Sequence, residues 1–156
     1  MKMNRFLPVA AVLWFAGTAA TFAANPHLGT WKLNESKSQF APNSTRNHTI
    51  TYAEVEGDMI ILTVDGTAWD GKPVHWTSRG KFDGKPYKVE GSLVVDSIAT
   101  EPVNTRTNST TGMKNGKVVF TGTIEVAKDG QSRVVKTTLS DANGSKYTDK
   151  AYYDKQ

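Results

Sequence analysis

The sequence predicts an all-β protein: a single antiparallel up-and-down β-barrel of about ten strands, with one short helical turn after the first strand. Most segments after Asn25 are rich in Val, Ile, Thr and aromatic residues, which favour strands over helices. Turns that contain glycine, often as Asn-Gly or Asp-Gly, separate these segments. Such pairs favour tight hairpins because both residues tolerate positive φ. Consecutive hairpins form a meander, which a barrel closes into a ring.

The first 24 residues differ from the rest of the chain. A basic head with Lys2 and Arg5 precedes the apolar run FLPVAAVLWFAGTAA, and small residues follow in TFAAN. A run of about 15 residues is shorter than the roughly 20 that span a bilayer, so the pattern predicts a secretory signal rather than an anchor. We expect cleavage after Ala23 or Ala24, which divides the chain into a signal peptide, 1–24, and a barrel domain, 25–156.

The predicted strands follow one another with short gaps. They cover residues 28–34, 47–55, 58–65, 74–82, 86–91, 96–101, 105–113, 116–127, 131–140 and 145–154. Only residues 35–46 break the strand pattern, where Asn34 can cap a short helical turn that ends before Pro42. We expect this segment to lie as a lid over one end of the barrel.

Alternation along the strands indicates which face points inward. In the first strand Gly29, Trp31 and Leu33 share one face and polar residues share the other. The fourth and eighth predicted strands repeat the pattern, as an antiparallel sheet with one apolar face requires. A two-sheet sandwich would alternate in the same way, and the number of short, evenly spaced hairpins favours the barrel.

Composition limits the classes of partner. Without Lys2 and Arg5 the formal charge falls from +4 to +2, which gives little attraction to nucleic acid. We expect no nucleic-acid partner, no membrane insertion after signal cleavage, and a monomer. The chain contains no cysteine, so neither a disulfide nor a lipid on cysteine is available. About 132 residues suffice for one domain with its own core.

Four short stretches resemble a known family. GTWKLN at 29–34, DGKPVHW at 70–76, KFDGKPY at 81–87 and AYYDKQ at 151–156 are similar to small secreted bacterial proteins of unassigned function, described as lipocalin-like. In such a bacterial protein, the N-terminal signal peptide predicts a secreted or periplasmic location. More distantly, the Gly-x-Trp start and the Tyr-acid-Lys finish resemble the calycin group, which includes lipocalins and fatty-acid-binding proteins. That likeness implies that Gly29 and Trp31 close one end of the barrel and that Lys155 covers the Trp31 ring. Fatty-acid-binding proteins have an Arg where this chain has Ala151, so their carboxylate clamp does not carry over.

The inward face mixes aromatic residues with small ones, which leaves either a cavity or a packed lumen. The candidates for ligand binding in the lumen are Tyr52, Trp76, Tyr87, Phe120, Arg133 and Tyr153. Alternation also places His48 inward. Arg133 either is buried, where it needs an anionic or strongly accepting partner, or sits at the wet rim at the start of its strand. Trp69 lies in a turn, where it is either a portal residue or folds over the barrel end.

The sequence offers no catalytic or metal-binding motif. His27, His48 and His75 lie far apart with no HxH or HExxH spacing, and no cysteine can serve as nucleophile or ligand. We therefore expect no catalytic residues, no metal and no cofactor, and a protein that binds a small apolar or amphiphilic molecule. Two alternatives stay open: a solid-cored envelope or protein-interaction module, and an isomerase or hydrolase built in the lumen without a known motif.

Overall fold

The computed structural model describes residues 24–140 and 143–156. The predicted signal peptide lies outside these residues, apart from Ala24. The ten strands are β1 Gly29–Leu33, β2 Arg46–Val55, β3 Met59–Thr67, β4 Pro73–Gly80, β5 Pro86–Glu90, β6 Ser97–Asn104, β7 Thr107–Lys114, β8 Lys117–Val126, β9 Ser132–Ser140 and β10 Lys146–Lys155. In these two ranges we find no helical segment with the length and hydropathy of a membrane span.

The strands form one closed antiparallel ring in which each strand pairs with its neighbours in sequence and β1 also pairs with β10. Trp31 stands between Ile50 on β2 and Lys155 on β10, so the first strand joins the two ends of the meander. The predicted all-β up-and-down barrel is confirmed. All ten strands lie within residues 29–155, so a chain that begins at Asn25 contains the complete ring.

The turns alternate between two ends of the barrel. One end carries the segment 34–45 and the β3–β4, β5–β6, β7–β8 and β9–β10 turns; we call it the mouth. The other end carries the β2–β3, β4–β5, β6–β7 and β8–β9 turns and the C-terminus; we call it the floor. At the mouth, Asn115 and Gly116 have φ of 51° and 74° and join Lys114 to Lys117, which are paired. This is the two-residue hairpin that Asn-Gly favours.

Helical structure in the described ranges consists of two short 3-10 turns, Glu35–Lys37 and Glu56–Asp58. The first fulfils the expectation of a helical turn after the first strand, but Asn34 makes no side-chain capping bond to it. Instead Asn34 Nδ2 donates to Asp154 Oδ2 at 2.8 Å, which ties the turn to β10. The second 3-10 turn takes the place of a simple hairpin turn between β2 and β3, and Gly57 adopts φ 74° within it.

A β-bulge in β2 changes which residue faces the lumen. Asn47 pairs with Gly66 and Thr49 with Asp65, so His48 is an extra residue, and alternation fails beyond it. The prediction that His48 faces inward is therefore wrong. Its Nε2 lies 2.9 Å from Thr67 Oγ1 and its Nδ1 lies 3.6 Å from Glu35 Oε1, while Asn47 takes the lumen position.

The hydrophobic core is concentrated between the floor and the middle of the barrel. Its buried members come from β1, β2, β3, β8 and β10 and are Trp31, Ile50, Tyr52, Ile60, Leu62, Val64, Val126, Ala151 and Tyr153. Several of the same side chains also line the lumen above the floor. The core therefore supports both the closure of the ring and the wall of the site.

Candidate ligand-binding cavity

The barrel contains a cavity of about 420 Å³ that reaches from the core to the mouth. Exposed residues at the mouth, Trp69 and Val94, belong to its lining together with core residues such as Tyr52 and Tyr153. The aromatic lining residues are Phe40, Tyr52, Trp69, Trp76, Phe120, Tyr147 and Tyr153. The aliphatic ones are Ile50, Leu62, Val64, Val94, Val95, Ile98, Ile124, Val135, Leu139 and Ala151. The lumen is thus an apolar cavity rather than a packed core.

The floor is built around a buried cation. The Arg133 side chain is 1% exposed, and its Cζ lies 4.6 Å from the ring centroid of Trp31 and 5.1 Å from those of Tyr52 and Tyr153. The faces of aromatic rings carry partial negative charge and attract a guanidinium. Three rings thus surround Arg133, where the sequence left open a buried anionic partner or a wet rim.

No nitrogen of this guanidinium makes a hydrogen bond of regular geometry in the part of the chain that the structure describes; the Tyr52 hydroxyl is near enough to act as a weak acceptor. Burial lowers the pKa of Arg133, and the nearby Tyr52 and Tyr153 act in the opposite direction. An arginine nevertheless keeps its proton in proteins. The positive charge at the floor is therefore stabilised by ring faces and not by a carboxylate.

Trp31 is fully buried and is held from several sides. Lys155 Nζ lies 5.1 Å from its ring centroid, and its Nε1 donates to the His27 carbonyl at 3.0 Å. Gly29 leaves room for Lys155, because a Cβ there would come within 2.9 Å of the Lys155 Cε. Its φ of 110° is also one that favours glycine. Trp31 therefore packs close to two cations at the closed end of the barrel.

His27 completes the floor in its neutral form. Its side chain is buried and meets the Phe82 ring edge to face at 6.3 Å. Burial, together with the charges of Arg133 and Lys155, lowers the pKa of His27 from 6.5 to about 4. Since the imidazole is neutral at neutral pH, no third positive charge is added beneath the lumen.

The polar residues of the cavity wall, besides the tyrosines, are Asn43, Ser44, Thr45, Asn47, Thr110, Thr137 and Asp149. Two groups on the wall, the Tyr153 hydroxyl and the Asp149 carboxylate, are already engaged. The Tyr153 hydroxyl donates to the Asn47 carbonyl at 2.9 Å, next to the β2 bulge, and burial raises the pKa of Tyr153. Asp149 Oδ1 accepts hydrogen bonds from Ala41 N and from Ser44 Oγ, both at 2.8 Å. Thr110 is a lining residue, but its Oγ1 is itself buried and has no hydrogen-bond partner in the described chain.

The segment 38–45 covers one side of the mouth. Besides the bonds to Asp149, Gln39 and Lys150 exchange backbone hydrogen bonds of 2.8 Å in each direction. Phe40 turns into the cavity lining, and the Arg46 guanidinium lies 5.4 Å from its ring centroid. This short cover is thus attached to β10 and leaves part of the mouth open.

The structure places the predicted lumen residues in three locations. Tyr52, Trp76, Phe120 and Tyr153 line the cavity. Arg133 is not a lining residue and sits against the floor side of Tyr52 and Tyr153. Tyr87 is not a lining residue either.

Tyr87 lies outside the cavity lining because its position on β5 is near the floor. Its ring occupies the space above Gly80, where a Cβ would overlap it, and its hydroxyl donates to Asp83 Oδ2 at 3.0 Å. It contributes instead to a small pocket with Phe82 and Ser78. The Trp69 side chain is 70% exposed at the mouth and belongs to the cavity lining. Of the two alternatives, this position fits a portal residue.

Sequence reasoning missed Asp149 and Thr110 as members of the wall. Asp149 shares a face of β10 with Ala151 and Tyr153, so alternation could have found it, but a charged residue is not expected inside a barrel. Thr110 lies on β7, a strand rich in Thr, Ser and Asn, where alternation between apolar and polar residues is absent. Asp149 is the one charged residue among the described residues that line the cavity.

Comparisons with known proteins give no family. No protein-family model matches the sequence, and no curated protein matches it. Membership in the lipocalin-like or calycin group stays a prediction. Among solved structures, the chain is similar to a β-barrel described as EF1p2_mFAP2b bound to DFHBI, with 11% identity, a TM-score of 0.47, and coverage of 86% of this chain and 97% of the other. A redesigned β-barrel, mFAP1, bound to DFHBI, gives 13% identity, a TM-score of 0.43, and coverage of 86% and 98%.

Proposed function

We propose that this protein is exported and binds a small apolar or amphiphilic molecule in the lumen of its barrel. The observation that carries the proposal is the apolar cavity of about 420 Å³ with access at the mouth. Ligand sites in proteins have volumes of roughly 300 to 1,000 Å³, mostly apolar walls and a few placed polar groups. The solid-cored alternative does not account for this space.

The wall determines the chemistry of the ligand. Burial of about 250 Å² of apolar ligand surface at roughly 25 cal/mol per Å² gives about 6 kcal/mol before the costs of association. Asn47 and Thr137 place polar groups on the wall, and Asp149 supplies negative charge near the mouth. No basic side chain lines the described cavity wall, so we expect a neutral ligand with hydrogen-bonding groups rather than a carboxylate held by an ion pair.

Binding without turnover is the simpler use of these groups. The Tyr153 hydroxyl is committed to the Asn47 carbonyl, and the Asp149 carboxylate to the cover segment. A general acid or base needs a group that is free to reach the substrate and has a suitable pKa, and burial moves the pKa of Tyr153 upward, away from neutrality. We therefore propose a carrier or sensor of a small molecule and not an enzyme.

A lumen substitution with a matched surface control tests the proposal. Ala151 is buried on the cavity wall, and Ala53 is an exposed residue of β2. Ala151→Phe fills the lumen, whereas Ala53→Phe makes the same chemical change outside. We expect an environment-sensitive apolar dye to bind at least about tenfold more weakly to the first variant, which corresponds to about 1.4 kcal/mol, and within about twofold of wild type to the second.

Three results would contradict lumen binding. They are the absence of a bound mass in native mass spectrometry of gently purified protein, the absence of dye uptake, and the absence of a shift in melting temperature with a panel of lipids and aromatic compounds. Equal dye binding by Ala151→Phe and the control would move the site elsewhere. If a ligand is found and is turned over, loss of turnover with retained binding in Tyr153→Phe would support the enzyme alternative.

Export has its own test. Expression of the whole chain in a bacterial host, followed by mass measurement of the mature protein, should give an N-terminus at Ala24 or Asn25. Fractionation then distinguishes the periplasm from the medium. An intact N-terminus on protein recovered from the cytosol would contradict export while leaving the cavity unaffected.

A further inference from the structure

Exposed apolar side chains gather on one side of the mouth. Trp69 in the β3–β4 turn is 70% exposed, and Leu93 and Val94 in the β5–β6 turn are 94% and 50% exposed. Because β4 and β5 are neighbours in the ring, these two turns lie side by side. We call the three residues the apolar rim. Two of them also line the cavity, so the rim is continuous with the lumen.

The backbone holds the apolar rim in a fixed position. Ala68 N donates to the Lys72 carbonyl at 2.8 Å, and Gly71 N donates to the Ala68 carbonyl at 3.0 Å. In the neighbouring turn, Val94 N and Val95 N both lie 3.2 Å from Ser92 Oγ. Docking should therefore cost little conformational entropy, because these turns are already ordered. Isolated exposed apolar residues are common on proteins, but adjacent ones on ordered turns beside a cavity indicate a contact surface.

Basic side chains lie at the same end of the barrel as the apolar rim. Two of them are neutralised, since Arg46 pairs with Glu35 at 3.7 Å and Lys72 with Asp70 at 2.7 Å. Four others at the mouth form no salt bridge with any described residue: Lys37, Lys114, Lys117 and Lys146. Within this group Lys114 and Lys117 stand directly opposite each other across the β7–β8 turn. Like charges in that arrangement repel. The Asp96 carboxylate, which accepts a hydrogen bond from Asn115 N at 2.7 Å, offsets part of the charge of Lys114, and an external anion would relieve the remaining repulsion.

We propose that the mouth docks peripherally on the surface of an anionic lipid bilayer, with the apolar rim at the level of the headgroups and the four lysines facing lipid phosphates; no strand enters the bilayer. Trp is favoured at such interfaces because its ring is apolar and its N–H is polar. Basic residues near the surface add attraction to anionic lipids that weakens with salt. An apolar ligand could then pass between the bilayer and the cavity without crossing water.

A bilayer fits this surface better than a folded protein partner does. A stable protein interface buries about 800 Å² on each side and usually has few lysines in its core. The apolar rim has three side chains, and four lysines lie at the same end of the barrel. Docking itself does not depend on the proposed function; only the transfer of a ligand does.

Vesicle binding by the chain from Asn25, with no added ligand, tests the docking. Vesicles of phosphatidylglycerol and phosphatidylethanolamine are compared with vesicles of phosphatidylcholine by sedimentation. We expect partition onto the anionic vesicles to be at least about tenfold stronger at low salt and to fall as salt is raised. Brominated lipid should quench tryptophan fluorescence of wild type much more than that of Trp69→Phe, because Trp31 is fully buried and Trp76 lines the lumen.

A matched substitution locates the contact. Leu93→Ser should weaken partition about tenfold, about 1.4 kcal/mol, whereas Val103→Ser should leave it unchanged. Val103 is 62% exposed but lies by the β6–β7 turn at the floor. Lys114→Gln combined with Lys117→Gln should reduce the preference for anionic lipid. Ala151→Phe should bind vesicles normally even where it loses the dye, which separates docking from lumen binding.

Several results would overturn the proposal. They are an absence of partition onto anionic vesicles, equal partition onto neutral ones, or equal losses from Leu93→Ser and Val103→Ser. A dimer in light scattering that Leu93→Ser dissociates, without vesicle binding, would assign the apolar rim to a second copy of this chain instead.

Discussion

Replacement of Trp31 by Ala removes the centre of the barrel floor. The side chain is fully buried, packs against Arg133 and Lys155, and donates a hydrogen bond to the His27 carbonyl. Ala keeps none of these contacts. It also leaves Arg133 with two aromatic rings instead of three, so a buried charge loses part of its stabilisation.

The magnitude follows from these contacts. Truncation of a buried Trp or Phe to Ala costs about 3 to 5 kcal/mol, and we expect Trp31→Ala to lie near the upper value because two cation–π contacts are lost with the ring. Trp31→Phe keeps an aromatic face but loses the hydrogen bond and part of the volume, and should cost about 2 kcal/mol. Trp69→Ala, at the exposed mouth, should change stability by less than about 0.5 kcal/mol.

Urea unfolding followed by far-UV circular dichroism measures these differences without relying on the tryptophans that are being changed. Small domains are stable by about 5 to 15 kcal/mol, so Trp31→Ala can leave a marginal fold, and Trp31→Phe keeps the comparison measurable. A cost of under about 1 kcal/mol for Trp31→Ala, or equal costs for Trp31→Ala and Trp69→Ala, would refute the assignment of Trp31 to the closed end.

Three further predictions concern the floor, the bulge and the cover. The pKa of His27 falls from 6.5 in the unfolded chain to about 4 in the fold. The stability that depends on neutral His27 is therefore fully present above about pH 6.5 and is lost as the pH falls toward 4. In urea titrations across this range, wild type should lose up to about 3 kcal/mol more than His27→Gln. Tyr153→Phe leaves the Asn47 carbonyl without its donor and should cost about 1 to 2 kcal/mol in the same assay, and a cost near zero would contradict the bond. Asp149→Ala removes the acceptor for Ser44, so amide hydrogen exchange in 38–45 should rise while exchange in β6 stays constant.

The order and number of strands could be predicted because the signals are local. Turn residues such as Asn115 and Gly116 define hairpins by their own conformational preferences, and alternation of residues such as Trp31 and Leu33 gives the inward face. Closure of the ring is not local, but a meander of this length leaves its first and last strands unpaired until they meet. The second 3-10 turn was missed because its sequence, Glu56-Gly57-Asp58, also fits a plain hairpin turn.

The site was harder to predict because it depends on geometry that a strand pattern does not contain. One bulge was enough to exchange His48 for Asn47 in the lumen. The sequence suggested that Arg133 either is paired with an anion or is exposed to water. A guanidinium among aromatic rings could not be predicted, because it requires Tyr52, Tyr153 and Trp31 to converge from three strands. Whether aromatic side chains fill the lumen or leave a cavity depends on the diameter of the ring, which only the closed structure provides.

The position of the charges explains how an apolar lumen can coexist with a buried cation. Removing a guanidinium from water is costly, and at the floor three ring faces compensate for it. The same rings of Tyr52 and Tyr153 form part of the cavity wall, so they turn one face toward the charge and present carbon to the lumen. The neutral state of His27 limits the charge beneath them. In the proposed binding of a ligand, recognition would depend on shape and on apolar area, and a ligand that carries a negative charge would have no cation to meet on the described cavity wall.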